Sequence, residues 1–243
     1  MSASDLIAVV AIVALASMVQ GISGFGFALV SMPLLSAVIG VERALAVQTI
    51  LGIVANGTTA WSARTYILRS TAIRIALASF AGMPLGWFVL EHVGAKTLKL
   101  VVGCTVGTVA VLLASRFRIK ATGPAVDVMS GFISGILATS TGTNGPPLVI
   151  ALSARQLPSS QQRATLSTVF AVANIVVLVL LIRSGRVTAG VGRAVLAALP
   201  LQMFLWSFGN RVFAQLDQRR YDVVVIALLF TSAAVAMISA ALA

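Results

Sequence analysis

The chain has 243 residues, 59% hydrophobic and 9% charged, with a mean hydropathy of +1.04. A soluble domain carries about 25% charged residues and cannot cover its surface with so few, so the composition describes a polytopic membrane protein. The formal net charge of +11 comes from basic residues set between apolar runs, a pattern that suits snorkelling and anionic lipid rather than nucleic acid.

In chain order, eight long uncharged runs follow one another: 6–41, 44–63, 75–90, 100–115, 128–154, 164–182, 194–210 and 223–243. A spanning helix needs about 17–25 residues. Most runs reach that length, and the two short ones can borrow flanking residues. The runs are rich in leucine, valine and alanine without strict alternation, which favours helices over an outer-membrane barrel. The N-terminus, Met1-Ser2-Ala3-Ser4-Asp5, lacks the basic region of a signal peptide, so the first run is expected to belong to the mature fold.

The first and fifth runs are too long for one simple crossing, and both are broken by glycine and proline. The first contains Gln20-Gly21-Ile22-Ser23-Gly24-Phe25-Gly26-Phe27 and then Pro33. The fifth contains Gly135 and then Ser140-Thr141-Gly142-Thr143-Asn144-Gly145-Pro146-Pro147. Gly21 to Pro33 and Gly135 to Pro147 both span 12 positions. Beyond them Asn56 answers Asn174, Gly86 answers Gly209 and Lys96 answers Arg219, with the offset growing from 114 to 118 to 123. This predicts a first repeat over 1–115, a basic linker over 116–123 and a second repeat over 124–243.

Two topologies are open. If each broken run crosses once, the repeats are parallel and the basic residues divide evenly. If each dips in and returns, the repeats are inverted. One side then collects Arg64, Arg69, Arg74, Arg116, Arg118, Lys120, Arg155, Arg163, Arg211, Arg219 and Arg220, eleven of the 17 basic residues. Basic loops face the cytoplasm, so the hairpin arrangement is expected, with both termini outside. The expected fold is therefore an all-α polytopic membrane protein. Its two homologous repeats are of inverted topology, with broken or re-entrant helices meeting near the midplane.

Irregular backbone at membrane depth is tolerated only where protein buries it or a wet cavity is present. Two broken segments entering from opposite faces would aim helix N-termini, each with about half a positive charge and free N–H donors, at one central point. Such a point binds a small anion without a buried arginine. The candidate substrate-binding residues are Gln20, Ser23, Gly24, Phe25 and Gly26 in the first break, and Ser140, Thr141, Gly142, Thr143, Asn144 and Gly145 in the second. Asn56 and Asn174 join them, with inter-helical hydrogen bonding as their plainer reading. For the glycines and prolines the plainer reading is close packing or kinking, which weakens when the same break occurs twice.

The remaining chemistry is sparse. Cys104 is the single cysteine and His92 the single histidine, which excludes an internal disulfide and the common zinc motifs. No phosphate-loop motif occurs. The six acidic residues are scattered at run ends, unlike the clustered groups of a membrane enzyme. No cofactor, metal or catalytic residue is expected.

The glycine-rich break before Pro33, its second copy ending in Asn144-Gly145-Pro146-Pro147, and the later Arg163-Ala164-Thr165 with Asn174 resemble the TauE/SafE sulfite-exporter family over essentially the whole chain. The resemblance implies a secondary transporter of sulfite or an organosulfonate in the cell (inner) membrane. Its implied partners are a small anion and membrane lipids, and it leaves room for a homo-oligomer. A passive anion channel is the alternative, and a membrane-embedded enzyme a weaker one.

Overall fold

The computed structural model describes residues 1–23, 26–115, 122–155, 157–213 and scattered positions between 230 and 241. The basic linker Arg116–Lys120 and most of the last apolar run, with Arg219, lie outside the described residues. Among those described there is no strand. The described residues give nine α-helices along the apolar runs: α1 Ala3–Ser23, α2 Phe27–Ile39, α3 Val41–Ser62, α4 Arg69–His92, α5 Ala95–Ala114, α6 Pro124–Ser140, α7 Gly145–Ser153, α8 Ser159–Arg183 and α9 Ala189–Phe213. A 3₁₀ turn, Arg64–Tyr66, joins α3 to α4.

Helix boundaries fall where the chain cannot continue a helix or where a charge reaches water. Gly40, between α2 and α3, has φ +80°, and Gly185, after α8, has φ +72°. Pro124 opens α6 in the first turn, where its missing N–H costs nothing. Helices α1, α4, α8 and α9 are long and apolar enough to cross a membrane. The chain is a multi-pass membrane protein, and it turns large apolar side chains outward. Ile7, Leu196 and Phe204 are 72%, 72% and 67% exposed, a surface that lipid covers and water would not tolerate. Trp61 and Tyr66 are exposed beside the α3–α4 turn, at a level where aromatic side chains anchor in the membrane interface.

Both broken runs double back. In the fifth run the Ser134 hydroxyl of α6 donates to the Asn144 carbonyl at 2.9 Å. Ten residues of continuous helix would separate those groups by about 15 Å. The far ends also meet, because Asp127 in the first turn of α6 pairs with Arg155 after α7. In the first run, a Cβ at Gly190 would lie 3.9 Å from the Met1 sulfur. At the same end of the bundle Arg186 pairs with Glu42, just after α2, at 3.5 Å. One hairpin therefore opens at the Glu42 end and the other at the Arg74 end.

The arms are unequal, 21 and 13 residues in the first hairpin and 17 and 9 in the second. An even fold of the 27-residue run 128–154 would give two arms of about 13 residues, each about 20 Å long. The flank from Pro124 lengthens its first arm, and the break comes late, at 141–144.

The other helices hold these hairpins in place. Helix α4 runs parallel to α6 at very close range. The Ser79 hydroxyl donates to the Gly131 carbonyl at 2.9 Å, and the Thr139 hydroxyl donates to the Met83 carbonyl at 2.8 Å. A Cβ at Gly135 would sit 1.9 Å from the Ser79 carbonyl oxygen, so the small residues of α6 let the backbones touch. Helix α9 runs parallel to α1 in the same manner, with Gly209 against Met18 and Gly21. Helices α3 and α8 cross antiparallel in the centre. Leu68, past the end of α3, donates its N–H to Thr165 near the start of α8 at 3.1 Å, and Arg186 beyond α8 meets Glu42 at the start of α3.

Candidate functional site

The tips of the two hairpins meet the crossing of α3 and α8 around a small cavity inside the bundle. Gln20 of α1, Gly26 and the first turn of α2 supply one wall, with Asn144 and Gly145 at the start of α7 opposite. Gln48 and Asn56 of α3 face Phe170 and Asn174 of α8 across the remaining sides. Among the described residues, five carboxamides and no charged side chain line this space.

The geometry follows from local sequence. Gln48, Gly52 and Asn56 recur every four residues and so share one face of α3. Phe170 and Asn174 do the same on α8. Gly52 is what lets the two helices bring these faces together, since a Cβ there would lie 2.6 Å from the Asn174 Nδ2. On the other side, Gly142 has φ +68° and carries the second turn against α3, where a Cβ would lie 2.9 Å from Gln48 Oε1.

The amides are only partly satisfied. Gln20 Nε2 donates to Asn56 Oδ1 at 3.0 Å, and Asn56 Nδ2 donates to the Gly52 carbonyl at 2.9 Å. Gln20 Oε1, Gln48 Oε1 and Asn144 Nδ2 are buried without a hydrogen-bond partner. Each such atom costs about 1–3 kcal/mol. Three of them on residues of one cavity mark a place where a polar ligand would complete the bonding. Asn144 Nδ2 is a donor ready for an anion, and Gln48 would offer its own N–H groups by turning its carboxamide.

The helix starts add to this. Gly26, at φ 110°, stands at the N-cap of α2, and no side chain caps that end. The first-turn N–H groups of Phe27, Ala28 and Leu29 have no acceptor within the helix, and all three residues border the cavity. Helix α7 likewise begins at the cavity without a side-chain cap. Its second and third residues are Pro146 and Pro147, which have no N–H, so Gly145 carries the donor role there. The cavity volume is about 20 Å³, room for roughly one water molecule. In this conformation the space is smaller than one oxyanion.

Of the residues singled out from sequence, Gln20, Gly26, Asn56, Asn144, Gly145 and Asn174 come together at the cavity. Ser140, Thr141, Gly142 and Thr143 are buried beside it without lining it. The Ser140 hydroxyl donates to the Ile136 carbonyl at 2.6 Å, the Thr141 hydroxyl to the Leu137 carbonyl at 3.2 Å, and Thr141 pairs with Thr143 at 2.8 Å. Gly24, Phe25 and the Ser23 side chain lie outside the described residues. Gln48 was not singled out. Its signal was a polar residue two helical turns before Asn56 on an otherwise apolar face.

The profile of the family described as Sulfite exporter TauE/SafE matches residues 9–236. No curated protein and no solved structure matches the chain. With nearly its whole length covered, the chain belongs to the TauE/SafE sulfite exporter family, a family of membrane transporters.

Proposed function

We propose that this family member is a secondary transporter that carries a small sulfur oxyanion, sulfite or an organosulfonate, across the cell membrane by alternating access. The observation that carries the reading is the carboxamide-lined cavity between the two hairpin tips. It holds no formal charge, it has unsatisfied amide atoms, and the positive ends of α2 and α7 face it. An anion there would be held by N–H donors and helix dipoles, tightly enough to leave water and loosely enough to be released on the far side.

The same reading makes residues 1–115 and 124–243 two inverted repeats. The antiparallel crossing of α3 and α8, which are repeat equivalents, supports it. So does the exchange of partners, in which α4 packs on α6 as α9 packs on α1. Rocking one repeat against the other would open the cavity toward each face in turn. The five carboxamides come from both repeats, so that motion would assemble and dismantle the site.

Purified protein in liposomes tests this. It should take up radiolabelled sulfite without nucleotide, with saturation and with faster uptake when unlabelled sulfite is preloaded inside. Uptake that needs ATP would contradict the reading. Flux that neither saturates nor responds to preloading would make the protein a channel.

A further inference from the structure

Outside the cavity, where the α6–α7 hairpin opens, lies a second polar cluster. Asp127 is fully buried. Its Oδ2 accepts from Arg74 Nε at 3.1 Å and from a terminal guanidinium nitrogen at 2.9 Å, and its Oδ1 accepts from Arg155. The Thr71 hydroxyl accepts from Arg155 at 3.1 Å and from Arg74 at 3.3 Å. Arg155 also reaches the Gly123 carbonyl at 3.4 Å, and its Nε is buried without a partner.

Among the described residues two guanidiniums thus converge on one carboxylate, an excess of one positive charge. Their exposure differs in a telling way. The side chains of Arg74 and Arg155 are 36% and 16% exposed, while that of Asp127 is 0%. The cations reach the surface and the anion that holds them does not. Among the described residues, Asp127 is the only carboxylate at this end of the bundle, beside Arg64, Arg69, Arg74, Arg155 and Arg163. Farther along α6, Ser130 and Ser134 are buried, and Ser134 reaches Asn144 at the cavity. Helix α6 therefore spans from the arginine cluster to the site, with Ser130 bonded to the Asp127 carbonyl at one end and Ser134 to the Asn144 carbonyl at the other.

We propose that Arg74 and Arg155 form an anion-recruiting site at the mouth of the path to the cavity, kept shut by Asp127. The carboxylate presents two oxygens to two planar guanidinium forks, and sulfite or a sulfonate presents the same edge. When the mouth opens, the arriving oxyanion replaces Asp127 on the arginines, and the spare positive charge favours that exchange. The inference rests on the proposed transport of a small oxyanion through the cavity, and its test is separable from that reading.

The test counts sulfite-binding sites on the purified full-length protein by equilibrium titration. The parent should show one site, and Asn144→Ala the same site weakened roughly 10- to 150-fold. Asp127→Asn, which keeps the shape and removes the charge, should show two, and adding Arg155→Gln should take the second away. An Asp127→Asn protein with no added site, or one whose added site survives Arg155→Gln, overturns the proposal. If Asn144→Ala binds as tightly as the parent while Asp127→Asn gains an Arg155-dependent site, the cavity reading fails and this one stands. Should Asp127→Asn not fold, Asp127→Ser, which also frees the two guanidiniums, is labelled with phenylglyoxal in its place. Sulfite should protect Arg155 by mass spectrometry, and equal labelling with and without it overturns the proposal.

Discussion

Replacing Asn144 by alanine separates a binding role from a structural one by the sign of two effects. Asn144 stands at the N-cap of α7, yet its side chain makes no capping hydrogen bond. Its Nδ2 is buried and unpartnered. The bond that fixes the hairpin uses its backbone carbonyl, which accepts from Ser134 and survives the substitution. The usual loss of about 1 kcal/mol for removing a cap therefore does not apply, and deleting an unsatisfied buried group relieves a cost of about 1–3 kcal/mol. A small void offsets part of that gain. Stability should be unchanged or higher. Binding should move the other way, because a hydrogen bond to a charged group contributes about 1.5–3 kcal/mol, or roughly 10- to 150-fold in affinity. Thermal unfolding in detergent and a sulfite titration on the same preparation give both numbers. A lower melting temperature with unchanged affinity would refute the reasoning.

Other expectations follow from the same geometry. Gly52→Ala puts a Cβ 2.6 Å from the Asn174 Nδ2 and should turn that carboxamide away, weakening sulfite binding by about an order of magnitude while the fold persists; titration with a melting curve checks this. Thr141→Val removes a hydroxyl already bonded to Thr143 and the Leu137 carbonyl, so it should lower stability by about 1 kcal/mol and leave affinity close to the parent's. In a Cys104→Ser background, a cysteine replacing Ser2 should react with an impermeant reagent in intact cells and one replacing Arg118 should not; the reverse pattern would invert the topology.

The hairpins were legible because glycine and proline interrupt apolar runs twice at equal spacing, and membrane helices have little other reason to break in that way. The position of each turn was not, since Pro124 lengthens one arm from outside the run. The carboxamides of Gln20, Asn56, Asn144 and Asn174 stood out against apolar neighbours. The hydroxyls of Ser140, Thr141 and Thr143 stood out equally, but a serine or threonine on a helix always has a carbonyl one turn back within reach. Composition cannot tell a hydroxyl used in that way from one offered to a ligand. Gln48 was hidden because its significance comes from Gly142, a residue 94 positions away that packs against it. Asp127 read as a residue at the end of a run. Its burial depends on Arg74, which only the parallel packing of α4 on α6 brings near.

The central claim is that the carboxamide cavity is where the oxyanion binds. Selenite has the shape of sulfite and scatters anomalously, so an experimental structure of the protein saturated with selenite tests that claim most directly. An anomalous peak enclosed by the first turn of α2, Asn144 and Asn174 is the predicted result, with the Asn144 carboxamide turned toward it. Saturated protein whose selenium lies elsewhere, with the cavity volume still near 20 Å³, would contradict the account.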